Sequence, residues 1–231
     1  MNQDEIFLKS EGDRWLARNK DAISNPEYLV NDQVIGTMMM MKLAPQSVLE
    51  IGASNGWRLH EIGRRFGCSV TAVEPSSTAI QDGQARFPSV QFLRGTASAL
   101  PFDHAAQFDL VILNFVLHWV DRSTLLRAVA EIDRVLADGG FLLIGDFHPA
   151  LPQRVRYHHL PDQEVWTYKQ NYADIFLASN LYETTVSYSF DHDTHTLRSN
   201  VPPADRAQVT LLRKCLSDRY QNGSSLGAPK P

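Results

Sequence analysis

Val48 to Gly56 reads V-L-E-I-G-A-S-N-G, a short apolar run that breaks at Gly52, turns through small residues and Asn55, and yields at Trp57 to helical spacing. A strand that breaks on glycine into a helix leaves unpaired backbone N–H groups and a bare backbone against which a ligand can lie closely. These residue types therefore point to a nucleotide-type ligand. On the next strand, Val73-Glu74-Pro75-Ser76 places a carboxylate at the strand end. One carboxylate accepts hydrogen bonds from two adjacent ribose hydroxyls. The plainer alternative for Glu74 is a helix-capping acid beside Ser76 and Ser77. A dinucleotide fingerprint needs glycines where Ser54 and Trp57 stand, and no P-loop lysine is present, so NAD and FAD fit poorly.

Two histidines are candidates for proton transfer. His118 follows the apolar run ending at Asn114, and its plainer role is packing against Trp119. His148 sits in Asp146-Phe147-His148-Pro149, where Asp146 could orient the imidazole as base and orienter. Its plainer role is that of a turn histidine before a proline. Downstream, Tyr157, His158, Tyr168, Lys169 and Tyr172 fall in a segment of rings and hydrogen-bonding groups that suits a sugar or another polar ring. Lys169 could meet an acidic or phosphorylated group. No metal site is expected: adjacent histidines such as His158 and His159 rarely converge on one ion, and no thiol pattern supports them or the Asp191, His192, Asp193, His195 group.

Apolar runs over 47–52, 70–74, 90–94, 108–114 and 140–146 alternate with helical patterns over 58–66, 77–86 and 123–136. That alternation predicts a parallel sheet with right-handed crossovers, and a ligand at the carboxyl ends of its strands. Two helices are expected upstream, over 11–19 and 27–43, with the run Met38 to Met41 packed on the sheet as a gap filler. After Asp146, three prolines interrupt a polar stretch. A helix over 172–179 and a hairpin of strands over 184–190 and 207–214 then close a seven-stranded sheet. One domain over 1–215 is expected, with a helical cap over 1–45, a substrate-side insertion over 149–181 and a disordered tail over 216–231.

The 231 residues suffice for one well-cored α/β domain, and 43% hydrophobic with 21% charged residues is ordinary for a globular protein. A net charge of -4 argues against nucleic acid as partner. No run is long enough to span a bilayer, and the first residues show no secretory signal. With Cys68 and Cys215 read as reduced thiols, a cytoplasmic protein with a small-molecule substrate is expected.

With these motifs in order, the chain resembles a class I S-adenosylmethionine-dependent methyltransferase. V-L-E-I-G-A-S-N-G resembles that family's first motif, and Glu74 matches the acidic ribose residue. Gly95-Thr96-Ala97-Ser98-Ala99-Leu100-Pro101-Phe102 resembles the G-D-A-x-x-L-P-F segment beside the adenine. Phe108-Asp109-Leu110-Val111 with Asn114, and Leu117-His118-Trp119-Val120, resemble the fourth motif, and Arg134 to Gly140 resembles the R-V-L-K-P-G-G turn. Gly12-Asp13-Arg14-Trp15 with Arg18-Asn19 is similar to an R-W-x-x-R-N helix that caps the cofactor pocket in some small-molecule members.

The resemblance implies an α/β, Rossmann-like, doubly wound, mostly parallel seven-stranded sheet with an antiparallel C-terminal hairpin and an N-terminal helical cap. It implies S-adenosyl-L-methionine as cofactor and S-adenosyl-L-homocysteine as product. It assigns cofactor contact to Glu50, Gly52, Ala53, Ser54, Gly56, Glu74, Pro75, Ser76, Thr96, Ala97, Asn114 and Trp15. Two positions depart from the pattern: Ser54 replaces the middle glycine, and Thr96 replaces the usual aspartate, which removes a charge-assisted contact to the adenine. The expected reaction is methyl transfer to O or N of a small polar acceptor such as a sugar, nucleotide sugar or glycan. The alternatives are a carboxyl methyltransferase of a small acid, which needs no base, and a non-catalytic binding module.

Overall fold

The computed structural model describes residues 2–23, 30–198, 200–217 and 219–220. The Val-Leu-Glu-Ile run forms β1 (Ser47–Ile51), buried from Val48 onward. It pairs in parallel with β2 (Ser69–Glu74) on one side and β4 (Phe108–Asn114) on the other, with Val48 opposite Val70 and Leu110. β3 (Gln91–Arg94) and β5 (Leu136–Phe147) extend the parallel sheet outward. β9 (Arg206–Lys214) and β8 (Tyr182–Asp191) close it antiparallel, giving the order β3-β2-β1-β4-β5-β9-β8.

The strands read as continuous apolar runs because both faces are covered. Along β4, Val111 and Leu113 face one layer while Leu110 and Ile112 face the other. The first layer is filled by α6 (Leu125–Val135) and α7 (Ala173–Ala178), through Ile132, Val135 and Phe176. The second is filled by α3 (Gln33–Met40) and α4 (Trp57–Phe66), through Met38, Leu59 and Ile62. α5 (Ser77–Arg86) follows β2 and is capped by Ser76, whose Oγ accepts from Ala79 N at 3.0 Å.

Several boundaries differ from expectation. The N-terminal helix starts earlier than residue 11: Asn2 caps α1 (Gln3–Ile6), a π-helical turn covers Phe7–Glu11, and α2 (Gly12–Ile23) continues from it. Of the four methionines only Met38 is fully buried; Met39 and Met40 are each 55% exposed. A helix turns about 100° per residue, so four consecutive side chains cannot share one face. The first part of the expected helix over 27–43 lies outside the described residues, as does most of the tail expected to be disordered. β5 starts at Leu136 rather than 140. Between the pairs Phe108↔Leu136 and Leu110↔Phe141 its register slips at a bulge holding Gly139 at φ 76°. Inside the expected insertion, β6 (Gln153–Arg156) and β7 (Trp166–Lys169) pair as a separate two-stranded ribbon.

Gly83 sets how closely α5 approaches the sheet. A Cβ there would stand 2.3 Å from Phe92 Cζ and 2.6 Å from the carbonyl oxygen of Asn55. Gly83→Ala is therefore expected to destabilise the fold by about 1–3 kcal/mol through overpacking, outweighing the gain in helix propensity. A urea melt checks this, and an unchanged or raised midpoint would refute the tight contact.

Candidate functional site

A cleft open to solvent lies at the carboxyl ends of β1, β2, β3 and β4. Its floor is the turn after β1. Gly52 has φ 72°, and a Cβ on it would sit 2.5 Å from Val116 Cγ2, so the backbone comes this close only because the residue is glycine. Ser54 also has positive φ, at 51°, and its buried Oγ has no hydrogen-bond partner. Gly56, at φ 74°, begins α4 and backs onto Phe92 rather than lining the cleft.

Glu74 closes one side. Its Oε2 accepts from Ser54 N at 2.8 Å and its Oε1 from Ser76 N at 2.9 Å, so the carboxylate shapes the glycine turn and starts the next helix. Burial raises its carboxyl to about 7, against the pull of those two N–H groups. Asp13 of α2 accepts from Ser76 Oγ at 2.6 Å and Thr78 N at 3.1 Å, which ties the N-terminal helix to this rim.

The N-terminal segment forms the roof: Asp4, Phe7, Gly12, Trp15 and Ile23 line the cleft. Buried Gln3 anchors its far end, donating to Trp119 O at 2.8 Å and Trp166 O at 3.0 Å while accepting from Trp166 N at 2.7 Å. Arg18 pairs with Glu11, which is fully buried and also accepts from Tyr157 Oη at 2.7 Å.

Of the residues assigned to the cofactor, Gly52, Ala53, Ser54, Glu74, Pro75, Thr96, Ala97, Asn114 and Trp15 come together around this one cleft. Glu50, Gly56 and Ser76 stand behind it. Glu50 is buried and ion-paired to Arg58, whose Nε also donates to Asp32 at 2.9 Å. Burial pushes the Glu50 carboxyl up, and the guanidinium opposes that shift. Arg58 itself lines the cleft. Sequence reasoning missed Arg58, Asp32, Asp4, Phe7 and Trp119. An arginine one position into the helix after the glycine turn was a usable signal for the first. Trp119 stood in the Leu117-His118-Trp119-Val120 segment without being assigned to the site, and no local signal marked Asp32, Asp4 or Phe7.

The expected His148–Asp146 pairing is not what forms. Asp146, at the end of β5, accepts from His118 Nδ1 at 2.8 Å, from His118 N at 3.2 Å and from Phe147 N at 2.8 Å. The short turn after β4 (Leu117–Trp119) lies beside the end of β5, whereas the chain past Phe147 turns away toward β9. His118 is 3% exposed and stands one layer behind the cleft lining, packed at 4.7 Å on Trp119, which does line it. His148 lies in a separate, smaller cavity with Asp146, Gln170 and Tyr172, and its buried Nδ1 has no partner. Burial, then Arg206, hold its imidazole below the usual range.

None of Tyr157, His158, Tyr168, Lys169 and Tyr172 lines the large cleft. Tyr157 is buried between Glu11 and Trp119, and its ring meets Trp119 edge-on at 4.6 Å. Tyr172 is a core residue whose hydroxyl donates to Tyr168 O. The Arg122 guanidinium covers the Tyr168 ring at 4.3 Å, and Lys169 Nζ sits 4.0 Å over Phe147, with burial holding its ammonium below the usual range. His158 is exposed and its ring lies tilted against that of His159, 3.9 Å between centroids. Among the described residues no group converges as a metal site, and no helix is long and apolar enough to cross a membrane.

A family model described as "Methyltransferase domain" matches residues 49–144. The demethylmenaquinone methyltransferase of Renibacterium salmoninarum is 31% identical over 144 residues, 57% of this chain and 60% of that protein. A malonyl-acyl-carrier-protein O-methyltransferase of Coxiella burnetii is 26% identical over 133 residues, 58% of this chain and 45% of that protein. The chain thus spans about half the length of these relatives. Among solved structures, the 1,6-didemethyltoxoflavin-N1-methyltransferase of Burkholderia thailandensis, determined with 1,6-didemethyltoxoflavin and S-adenosylhomocysteine, aligns with a TM-score of 0.68. It is 16% identical and covers 92% of this chain and 90% of that one. The N-methyltransferase NodS of Bradyrhizobium japonicum aligns at 0.60, with 15% identity over 93% and 99% of the two chains. These last likenesses show the shared Rossmann-like fold. The family match falls on β1 through β5 and the glycine turn of the cleft.

Proposed function

We propose that the cleft binds S-adenosylmethionine and that the chain catalyses transfer of its methyl group to O or N of a small acceptor. The observation that carries this is the cleft floor: a glycine turn that a Cβ would close, an orphaned Ser54 Oγ, and a buried carboxylate at the end of the next strand. These fit a nucleoside with vicinal hydroxyls. Glu74 would hold the ribose, residues 52–54 would lie against the amino-acid portion, and Pro75, Thr96 and Ala97 would flank the base. When bound, the cofactor supplies a methyl group already activated on a sulfonium, so the protein's task is alignment and exclusion of water. The roof of Phe7 and Trp15 serves the exclusion.

For an acceptor that carries a proton, His118 is the base we propose. Asp146 holds Nδ1 as the donor, which leaves Nε2 as the acceptor, the arrangement that keeps an imidazole ready to take a proton. His148, across Phe147 in its own cavity, is assigned no proton transfer.

The acceptor reading moves away from sugars, because the five side chains it rested on are spent on packing or face elsewhere. The cleft walls instead offer Phe7, Trp15, Phe115 and Trp119. Such rings suit a flat, largely apolar acceptor with one nucleophilic atom. The named relatives for demethylmenaquinone and 1,6-didemethyltoxoflavin are in keeping with that class.

Calorimetric titration with S-adenosylmethionine and S-adenosylhomocysteine tests the cofactor reading. Saturable binding of both is expected, followed by methyl uptake by flat hydroxy- or amino-substituted ring compounds in preference to sugars. Absence of binding by folded protein would reject it.

A further inference from the structure

We infer that Asp4, carried across the cleft by the N-terminal helix, is the residue that selects the base of the bound nucleoside by accepting a hydrogen bond from its exocyclic amino group. This rests on the proposed nucleoside reading. A nucleoside whose ribose lies at Glu74 places its base among Pro75, Ala97 and Val120, apolar groups suited to the faces of a flat ring. Selection among bases must come from the ring edge, where the polar groups are the Thr96 hydroxyl and the Asp4 carboxylate.

A hydroxyl both donates and accepts, so Thr96 tolerates an amino group and a carbonyl alike. An ionised carboxylate only accepts. It favours an amino group and repels a carbonyl oxygen, the exchange that separates adenine from its 6-oxo counterpart at C6. Among the described residues lining the cleft, the acids are Asp4 and Glu74, and Glu74 is engaged on the ribose side.

Asp4 is also held in place. Its Oδ2 accepts from Ser98 Oγ and, at 3.0 Å, from Thr124 Oγ1. Ser98 Oγ lies 3.3 Å from Thr96 Oγ1, so the carboxylate is fastened to the same loop that supplies Thr96. These contacts join residues 94 and 120 positions apart in sequence, and they deliver an acid to the edge of a loop that has none of its own. A carboxylate has about four acceptor sites, and the two hydroxyls fall on one oxygen. The acid at the base edge is thus supplied by the roof, held there by Ser98 and Thr124.

The test is the Kd of S-adenosylhomocysteine and of its 6-oxo analogue, S-inosylhomocysteine, measured calorimetrically on the wild type, Asp4→Ala and Asp4→Asn. Wild type is expected to prefer the amino ligand by about a hundredfold. Asp4→Ala is expected to weaken that ligand at least tenfold and bring the two within a few-fold of each other. Asp4→Asn, whose amide can donate to a carbonyl, is expected to bind the 6-oxo ligand more tightly than wild type does, a gain that misfolding cannot produce. Wild type that binds S-adenosylhomocysteine, with discrimination unchanged in Asp4→Ala, overturns this assignment alone. Wild type that binds neither ligand overturns the nucleoside reading and this assignment with it.

Discussion

Replacing Glu74 with alanine is expected to weaken S-adenosylhomocysteine binding roughly ten- to a hundredfold, or about 1–3 kcal/mol, the span of hydrogen bonds to a charged group. The pH dependence separates this from simple damage. The carboxyl is raised to about 7 because it is buried, so it is largely protonated in the ligand-free protein below neutrality. Two ribose hydroxyls donate best to the ionised form. Wild-type affinity should therefore fall as pH is lowered from 8 to 6, and Glu74→Gln should be both weaker and flat across that range. The sign for stability is the reverse. A carboxyl whose folded value lies above its ordinary 4.5 contributes stability that is fully present below that value and is lost as pH rises through about 7. Thermal melts of ligand-free protein should show wild type losing up to about 3 kcal/mol relative to Glu74→Gln between pH 5 and 8. Equal affinity and parallel pH profiles in the two proteins would remove Glu74 from the ribose.

The second large effect concerns His118. With an acceptor that must lose a proton, His118→Gln is expected to lower kcat by about 10²–10⁴-fold, the usual worth of a positioned base, while the Kd for S-adenosylhomocysteine changes little. Asp146→Asn should lower kcat on the order of a hundredfold, because an amide can hold the imidazole in the wrong tautomer. That variant should also shift the pH–rate profile, which a purely structural loss would not do. His148→Ala should leave kcat within a few-fold of wild type. Full turnover in His118→Gln would sink the base assignment and favour an acceptor that is already ionised, such as a carboxylate. Full turnover in wild type together with a severe loss in His148→Ala would move the chemistry into the smaller cavity.

The parallel strands were legible because each is a short apolar run between a helix end and a glycine or proline, and burial on both faces removes any alternation. The glycine turn was legible because Gly52 and Gly56 occupy positive-φ positions where other residues are disfavoured. What local pattern could not supply was the partner of each polar group. Asp146 is two residues from His148 in sequence, yet it bonds His118, because the ends of β4 and β5 are neighbours in the sheet. Tyr157 and Tyr172 look like binding groups by composition, but their hydroxyls are taken by Glu11 and by Tyr168 O.

By itself, then, the sequence determined the alternation of parallel strands and helices, the glycine turn and the carboxylate at the end of the next strand. All of these follow from hydrophobic period, chain reversal and spacing within one strand–helix unit. The tertiary structure alone decided which histidine meets Asp146, that Glu50 is paired with Arg58 behind the cleft, and that Asp4 and Phe7 roof a site built mainly from residues 52–120. Those pairings join groups far apart in the chain. The low dielectric of a buried site makes an unpaired charge costly, so the partner is chosen by what the folded layers bring within reach.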